Sequence, residues 1–159
     1  MTKKTMIVYV TRTGNCKAIA EKVATFCDGM VVEIVDQVDR SGKIGFIKAG
    51  ASSARGEASP ISYPSINFDD FDNVILVQPM WALSICPPMR TWLNENKDAI
   101  KDKKIGMIVS CFGKNADPIR TKFEKNYYKL KEFCSIAEKL QQKEKDEIMQ
   151  QFMSSFDSE

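Results

Sequence analysis

Residues 11–16 read TRTGNC, a stretch dense in hydrogen-bond donors. The hydroxyls of Thr11 and Thr13, the side-chain amide of Asn15 and the N–H groups left free at the start of a helix can converge on one oxyanion. Gly14 lets the backbone approach closely, and the positive end of the helix dipole stands behind it, so the chemistry on offer is phosphate binding. The same residues also suit an ordinary helix cap, with Thr13 or Asn15 accepting the first N–H. Two familiar phosphate loops are excluded: there is neither G-x-G-x-x-G nor a Gly-Lys-Ser/Thr ending. A phosphatase-type loop would need a Cys at its start and an Arg at its end, where Thr11 and Lys17 stand.

A second candidate is Trp81, a large aromatic in the loop after a run of strand character, where open α/β sheets hold their ligands. Trp92, at helical spacing with Met89 and Leu93, reads as core. The chain has no histidine. That removes the commonest general base and metal ligand, so hydrolase and zinc readings fall and redox or group-transfer chemistry would need a bound cofactor. Five cysteines without C-x-x-C spacing, mostly inside apolar runs, suit reduced thiols in a cytosol. No run reaches membrane-span length and the N-terminal stretch is unlike a signal peptide, so a cytoplasmic location is expected. With 23 Lys and Arg against 21 Asp and Glu, nothing favours nucleic acid.

The elements that must position these residues follow from periodicity. Met6 to Val10 is a continuous apolar run, as expected of a strand buried on both faces. Cys16, Ile19, Ala20, Val23, Ala24 and Cys27 then recur at helical spacing. Met30 to Val35 predicts a second strand. Ser41 to Ala54 predicts a short helix capped by Ser41, with Ile44, Ile47, Gly50, Ala51 and Ala54 on its inner face. Gly56 to Pro64 reads as loop, and Val74 to Val77 as a third strand that Pro79 ends. A helix follows from Pro88, a fourth strand spans Lys104 to Cys111, and Asp117-Pro118 opens a helix carrying Ile119, Phe123 and Tyr127. Residues 130–140 keep a helical period, yet a five-stranded fold needs its last strand there, and Glu132 to Ala137 is assigned to it. Ile148, Met149, Phe152, Met153 and Phe156 mark a final amphipathic helix. The whole, residues 1–159, is a single domain: an α/β doubly wound parallel sheet with helices on both faces.

The first loop resembles the flavodoxin family's T-x-T-G-x-T phosphate motif as Thr11-Arg12-Thr13-Gly14-Asn15, with Cys16 where the last hydroxyl usually stands. GFIKAGASSARG from Gly45, PMWALSICPPMRTWL from Pro79 and SCFGK from Ser110 resemble corresponding segments of small flavodoxin-like proteins, and the likeness thins after about Tyr127. The resemblance implies strand order 2-1-3-4-5 and one non-covalent FMN at the carboxyl ends of strands 1, 3 and 4. It places Thr11, Arg12, Thr13, Gly14, Asn15 and Cys16 at the phosphate. Pro79, Met80, Trp81 and Ala82 would contact the ring, and Cys111, Phe112, Gly113 and Lys114 would line its other side, with Phe112 as the second aromatic.

The implied function is electron transfer between redox partner proteins by a monomer or weak dimer. The rivals are a small FMN-dependent NAD(P)H:quinone or flavin oxidoreductase and a flavodoxin-fold binding module without FMN. Lys97, Lys101, Lys103, Lys104, Lys114, Arg120, Lys122, Lys125, Lys129 and Lys131 make the sequence around the fourth strand basic. That charge is expected to ease flavin reduction and to suit an acidic partner.

Overall fold

The computed structural model describes residues 4–113 and 115–158. In chain order the elements are β1 (Thr5–Tyr9), α1 (Asn15–Cys27), β2 (Met30–Glu33), β3 (Val35–Asp36), α2 (Gly42–Ala54), β4 (Ile61–Ser62), β5 (Asn73–Pro79), α3 (Pro87–Ile100), β6 (Lys104–Cys111), α4 (Asp117–Asn126), β7 (Glu132–Ala137) and α5 (Gln142–Asp157). Five strands form one sheet in the order β2-β1-β5-β6-β7, and every neighbouring pair is parallel. The expected 2-1-3-4-5 counted five strands; β3 and β4 add an antiparallel ribbon of their own and shift that numbering.

The ribbon corrects two expectations. Met30 to Val35 is not one strand: Ile34 still donates its N–H to the Tyr9 carbonyl at 2.9 Å, but Val35 and Asp36 leave the sheet to pair with Ser62 and Ile61. The expected loop from Gly56 to Pro64 therefore contains a strand. Asp36 holds the departure in place, accepting hydrogen bonds from the Arg40 guanidinium at 2.5 Å and the Ser59 hydroxyl at 2.6 Å.

The uninterrupted apolar runs are explained by helices on both faces. Met6, Val8 and Val10 point to the side of α2, α3 and α4, where Ala49, Met89, Trp92, Leu93, Ile119 and Phe123 are buried. Ile7 and Tyr9 point the other way, onto Ile19 and Val23 of α1 and Phe152 and Phe156 of α5. Gly106 makes the close approach of α5 possible, because a Cβ there would lie 2.8 Å from the Phe152 ring.

Residues 132–137 pair with β6 along their length, from Gly106↔Glu132 to Cys111↔Ala137. Their side chains alternate accordingly, Phe133 packing on the α3 side and Cys134 and Ile136 on the α5 side. Edge pairing thus prevails over the helical period of the segment.

Helix α2 turns the opposite way from the expectation. Its buried residues are Gly45, Ala49 and Ser53, whereas Ile44 is 71% and Ile47 69% exposed. Gly45 sets this rotation: it lies so close to the Arg40 main chain that only a residue without a side chain fits there. Ser41 occupies the cap position without capping, since its hydroxyl donates to Asp39 at 2.6 Å. Among the described residues no helix is long and apolar enough to cross a membrane.

Candidate functional site

The loops that follow β1, β5 and β6 lie side by side at the carboxyl end of the sheet, because parallel strands at its centre bring their carboxyl ends together. Two adjoining cavities open between them. The smaller, about 220 Å³, is lined by Arg12, Thr13, Asn15, Phe46, Pro79, Met80, Trp81, Ser110, Cys111, Phe112 and Glu138. The larger, about 290 Å³, is lined by Phe46, Gly50, Met80, Trp81, Ala82, Leu83 and Phe112. Phe46, Met80, Trp81 and Phe112 are common to both.

At the polar end, Gly14 adopts φ 97° and hands the chain to α1. Neither Thr13 nor Asn15 caps that helix; Asn15 donates instead to the Thr13 hydroxyl at 3.2 Å, and Thr11 accepts from the Gly14 N–H at 2.9 Å. The first N–H groups of α1, from Asn15 to Lys17, therefore keep no backbone acceptor among the described residues until Ala18 bonds Gly14 at 3.1 Å. A helix start with its donors left open and no side chain closing it can seat an anion.

Cys16 does not face that seat. Its side chain is buried in the core between α1, α5 and the sheet, next to Ser110, and burial pushes the thiol well above its usual range. Only its main-chain N–H belongs to the loop's donor set. Arg12 borders the smaller cavity, but its guanidinium is engaged: it donates to the carbonyls of Arg40 at 2.9 Å and Gly42 at 2.8 Å, and lies 5.4 Å from the centre of the Phe46 ring.

At the apolar end Trp81 is 6% exposed yet borders both cavities. Arg40, itself buried and paired with Asp36, sits 5.4 Å from the Trp81 ring and fixes it from the far side. The tight turn from Trp81 to Ser84 places Ala82 at φ 53° and Leu83 at φ 54°, left-handed conformations that residues with side chains rarely adopt. Pro79 closes β5 in register with Ser110, and Met80 donates its N–H to the Ser110 carbonyl at 2.9 Å.

Beyond β6, Cys111 is buried, whereas Phe112 is 64% exposed and meets Phe46 edge to face at 6.2 Å. Phe112 is a wall of the cavities and not core. Gly113 follows at φ 108°, and Lys114 lies outside the described residues.

Besides Gly50, Leu83 and Ser110, which line the cavities, three contributors escaped the sequence reading. Phe46 forms a wall because α2 is rotated; Arg40 supports Trp81 through a contact across 41 residues of chain; Glu138, beyond β7, brings a carboxylate to the smaller cavity, 3.5 Å from the Ser110 hydroxyl. Phe46 lies within the GFIKAGASSARG segment, which was the available signal. The expected basic surroundings are corrected for six of the ten cations. Lys97, Lys101, Lys103, Lys104, Lys129 and Lys131 sit at the end of α3, at the start of β6 or just before β6 and β7, at the amino end of the sheet. Eight residues of β6 separate that end from the site, roughly 25 Å, or about three screening lengths at physiological ionic strength. Among the described residues, Lys122, which donates to the Leu83 carbonyl at 3.0 Å, and Lys139, 3.6 Å from where a Gly113 Cβ would stand, bring cations to the site.

The fold is that of flavodoxin-like proteins. A flavoprotein in complex with FMN from Lactobacillus acidophilus superposes with a TM-score of 0.76 at 18% identity, over 95% of this chain and 99% of that one. A flavodoxin from the domain Archaea gives 0.61 at 14%, over 96% of both chains, and flavodoxin 1 from Bacillus cereus gives 0.56 at 15%, over 97% of both. No protein-family model and no curated protein matches the sequence.

Proposed function

We propose that this chain binds one FMN between the loops after β1, β5 and β6 and carries electrons between redox partner proteins. The observation that carries the reading is the continuity of an anion seat, at Thr13 to Lys17, with an aromatic-walled cavity formed by Phe46, Met80, Trp81 and Phe112. The residues fit the group. A phosphate monoester needs several short donors and little charge, which the open N–H groups of α1 with the Thr11 and Thr13 hydroxyls supply. A flat, largely apolar ring with polar edges needs aromatic walls and a few main-chain partners. The FMN complex of the Lactobacillus acidophilus protein, on the same fold, supports the choice of cofactor.

Bound FMN would supply the redox chemistry, and the protein orients it and excludes water from one face. Trp81, held by Arg40, would form the rigid floor; Phe112 and Phe46, exposed at the mouth, would leave an edge accessible to a partner. Among the described residues the local charges offset one another, Arg12, Arg40, Lys122 and Lys139 against Glu33, Asp36, Asp39 and Glu138.

Anaerobic titration of the FMN-loaded protein separates the readings. A carrier keeps its visible absorbance when a nicotinamide dinucleotide is added and bleaches with dithionite. Rapid bleaching by the nicotinamide would instead make the protein an oxidoreductase, and failure to retain FMN would leave a binding module.

A further inference from the structure

The resemblance to flavodoxins places Arg12 at the phosphate, but its guanidinium is committed to other work. Its Nε and one terminal nitrogen reach two main-chain carbonyls, those of Arg40 and Gly42, and its flat face covers Phe46. Arg40 extends the chain of contacts: its main chain receives Arg12, while its side chain bonds Asp36 and covers Trp81. Phe46 and Trp81 are two of the walls shared by the cavities, so their spacing is set through residues 40–42. Arg12 and Trp81 also border a separate polar cavity toward β2 and β3, which makes them the partition that closes the ring site on that side.

We infer that Arg12 is a positioning residue for the flavin ring and not a ligand of the phosphate. The inference rests on the flavin reading above. The chemistry requires arginine specifically. Two carbonyl acceptors two residues apart suit donors diverging from one rigid plane, and the ring beneath is covered by that plane; a lysine ammonium has donors but neither the rigid fork nor the flat face. Residues 40–42 also bond within their own stretch, Ser41 to Asp39 and Gly45 to Ser41, but the Arg12 pair ties their carbonyls to the loop after β1. Without the guanidinium the loop and Phe46 would relax together.

The test compares two ligands that share the ring and differ in the phosphate. Dissociation constants for FMN and for riboflavin are measured by flavin fluorescence for the wild type, Arg12→Gln, Arg12→Lys, Phe46→Ala and the Arg12→Gln/Phe46→Ala pair, with circular dichroism of each apo protein as the folding control. The expected result is that Arg12→Gln and Arg12→Lys weaken both flavins by the same factor, on the order of tenfold, and that the double variant is little weaker than Phe46→Ala alone, because the two residues act as one unit. Loss of FMN affinity with riboflavin unchanged would make Arg12 a phosphate ligand and overturn the inference. So would additive effects of the two substitutions, or no effect at all. If Arg12→Gln does not fold, the comparison of FMN with riboflavin in Arg12→Lys still decides it. A wild type that binds neither flavin overturns the flavin reading first, before any variant is made.

Discussion

Gly45 packs directly against the main chain of Arg40: a Cβ on Gly45 would stand 2.0 Å from the Arg40 carbonyl carbon and 2.1 Å from its oxygen. This single contact decides which face of α2 meets the protein. It turns Ile44 and Ile47 outward and places Phe46 at the mouth of the cavities. Gly45→Ala therefore forces α2 away from residues 40–42, at a cost of about 1–3 kcal/mol typical of overpacking. Urea unfolding of the apo protein should show that loss, and flavin affinity should fall with it as Phe46 is displaced. A variant as stable as the wild type would mean that α2 is not held by this contact.

Thr13→Ala and Gly14→Ala separate ligand binding from local folding. Thr13 is exposed and caps nothing, so its substitution should leave apo stability within about 0.5 kcal/mol while weakening FMN. Gly14 has open space around it but a positive φ, so an alanine there costs about 1–2 kcal/mol of stability through the backbone alone and weakens FMN as well. Equilibrium unfolding without flavin, followed by flavin titration, reads both. A large loss of apo stability in Thr13→Ala would return that residue to a capping role.

The turn at Ala82 and Leu83 stores strain beside the ring site. Ala82→Gly relieves the left-handed conformation of a residue with a side chain and adds entropy to the unfolded chain, effects of opposite sign. The first should exceed the second, for a net gain on the order of 0.5–1 kcal/mol in urea. A net loss of that size would show that the turn is unstrained.

The buried thiols make stability fall in alkali. Burial pushes Cys86 and Cys134 up to about 12, and Cys16 is also raised well above its usual range. The folded protein thus keeps protons that the unfolded chain releases above its ordinary thiol range, near 8.5. Their contribution is whole below that pH and declines as pH rises toward about 12. The urea midpoint should drop between pH 8 and pH 10.5, and the drop should be shallower in Cys86→Ala, whatever that variant's starting stability. Identical slopes would remove the Cys86 thiol from the account.

What the sequence showed plainly was what short-range pattern controls. The β1–loop–α1 unit, the parallel sheet and the core role of Trp92 are legible because buried strands and amphipathic helices leave runs and periods. Residues 132–137 were ambiguous because their helical period competes with pairing to β6, a partner some 26 residues earlier in the chain. The rotation of α2 was hidden, since Ile44 and Ile47 look like an inner face until Gly45 meets Arg40. Arg12 and Cys16 occupy motif positions, yet their side chains answer to contacts with Gly42 and Ser110 that no local rule encodes. Part of the charge was misplaced for a related reason: the lysines at the end of α3 and at the starts of β6 and β7 stand at the far end of the sheet from the site they were expected to influence.

The most direct test of the central claim is an equilibrium titration of the apo protein with FMN, read by flavin fluorescence, in the wild type and in Trp81→Ala. One flavin per chain, with emission strongly quenched in the wild type and recovered in Trp81→Ala, is the expected result. No binding at flavin concentrations on the order of 0.1 mM, or binding whose quenching is unchanged without Trp81, would contradict it.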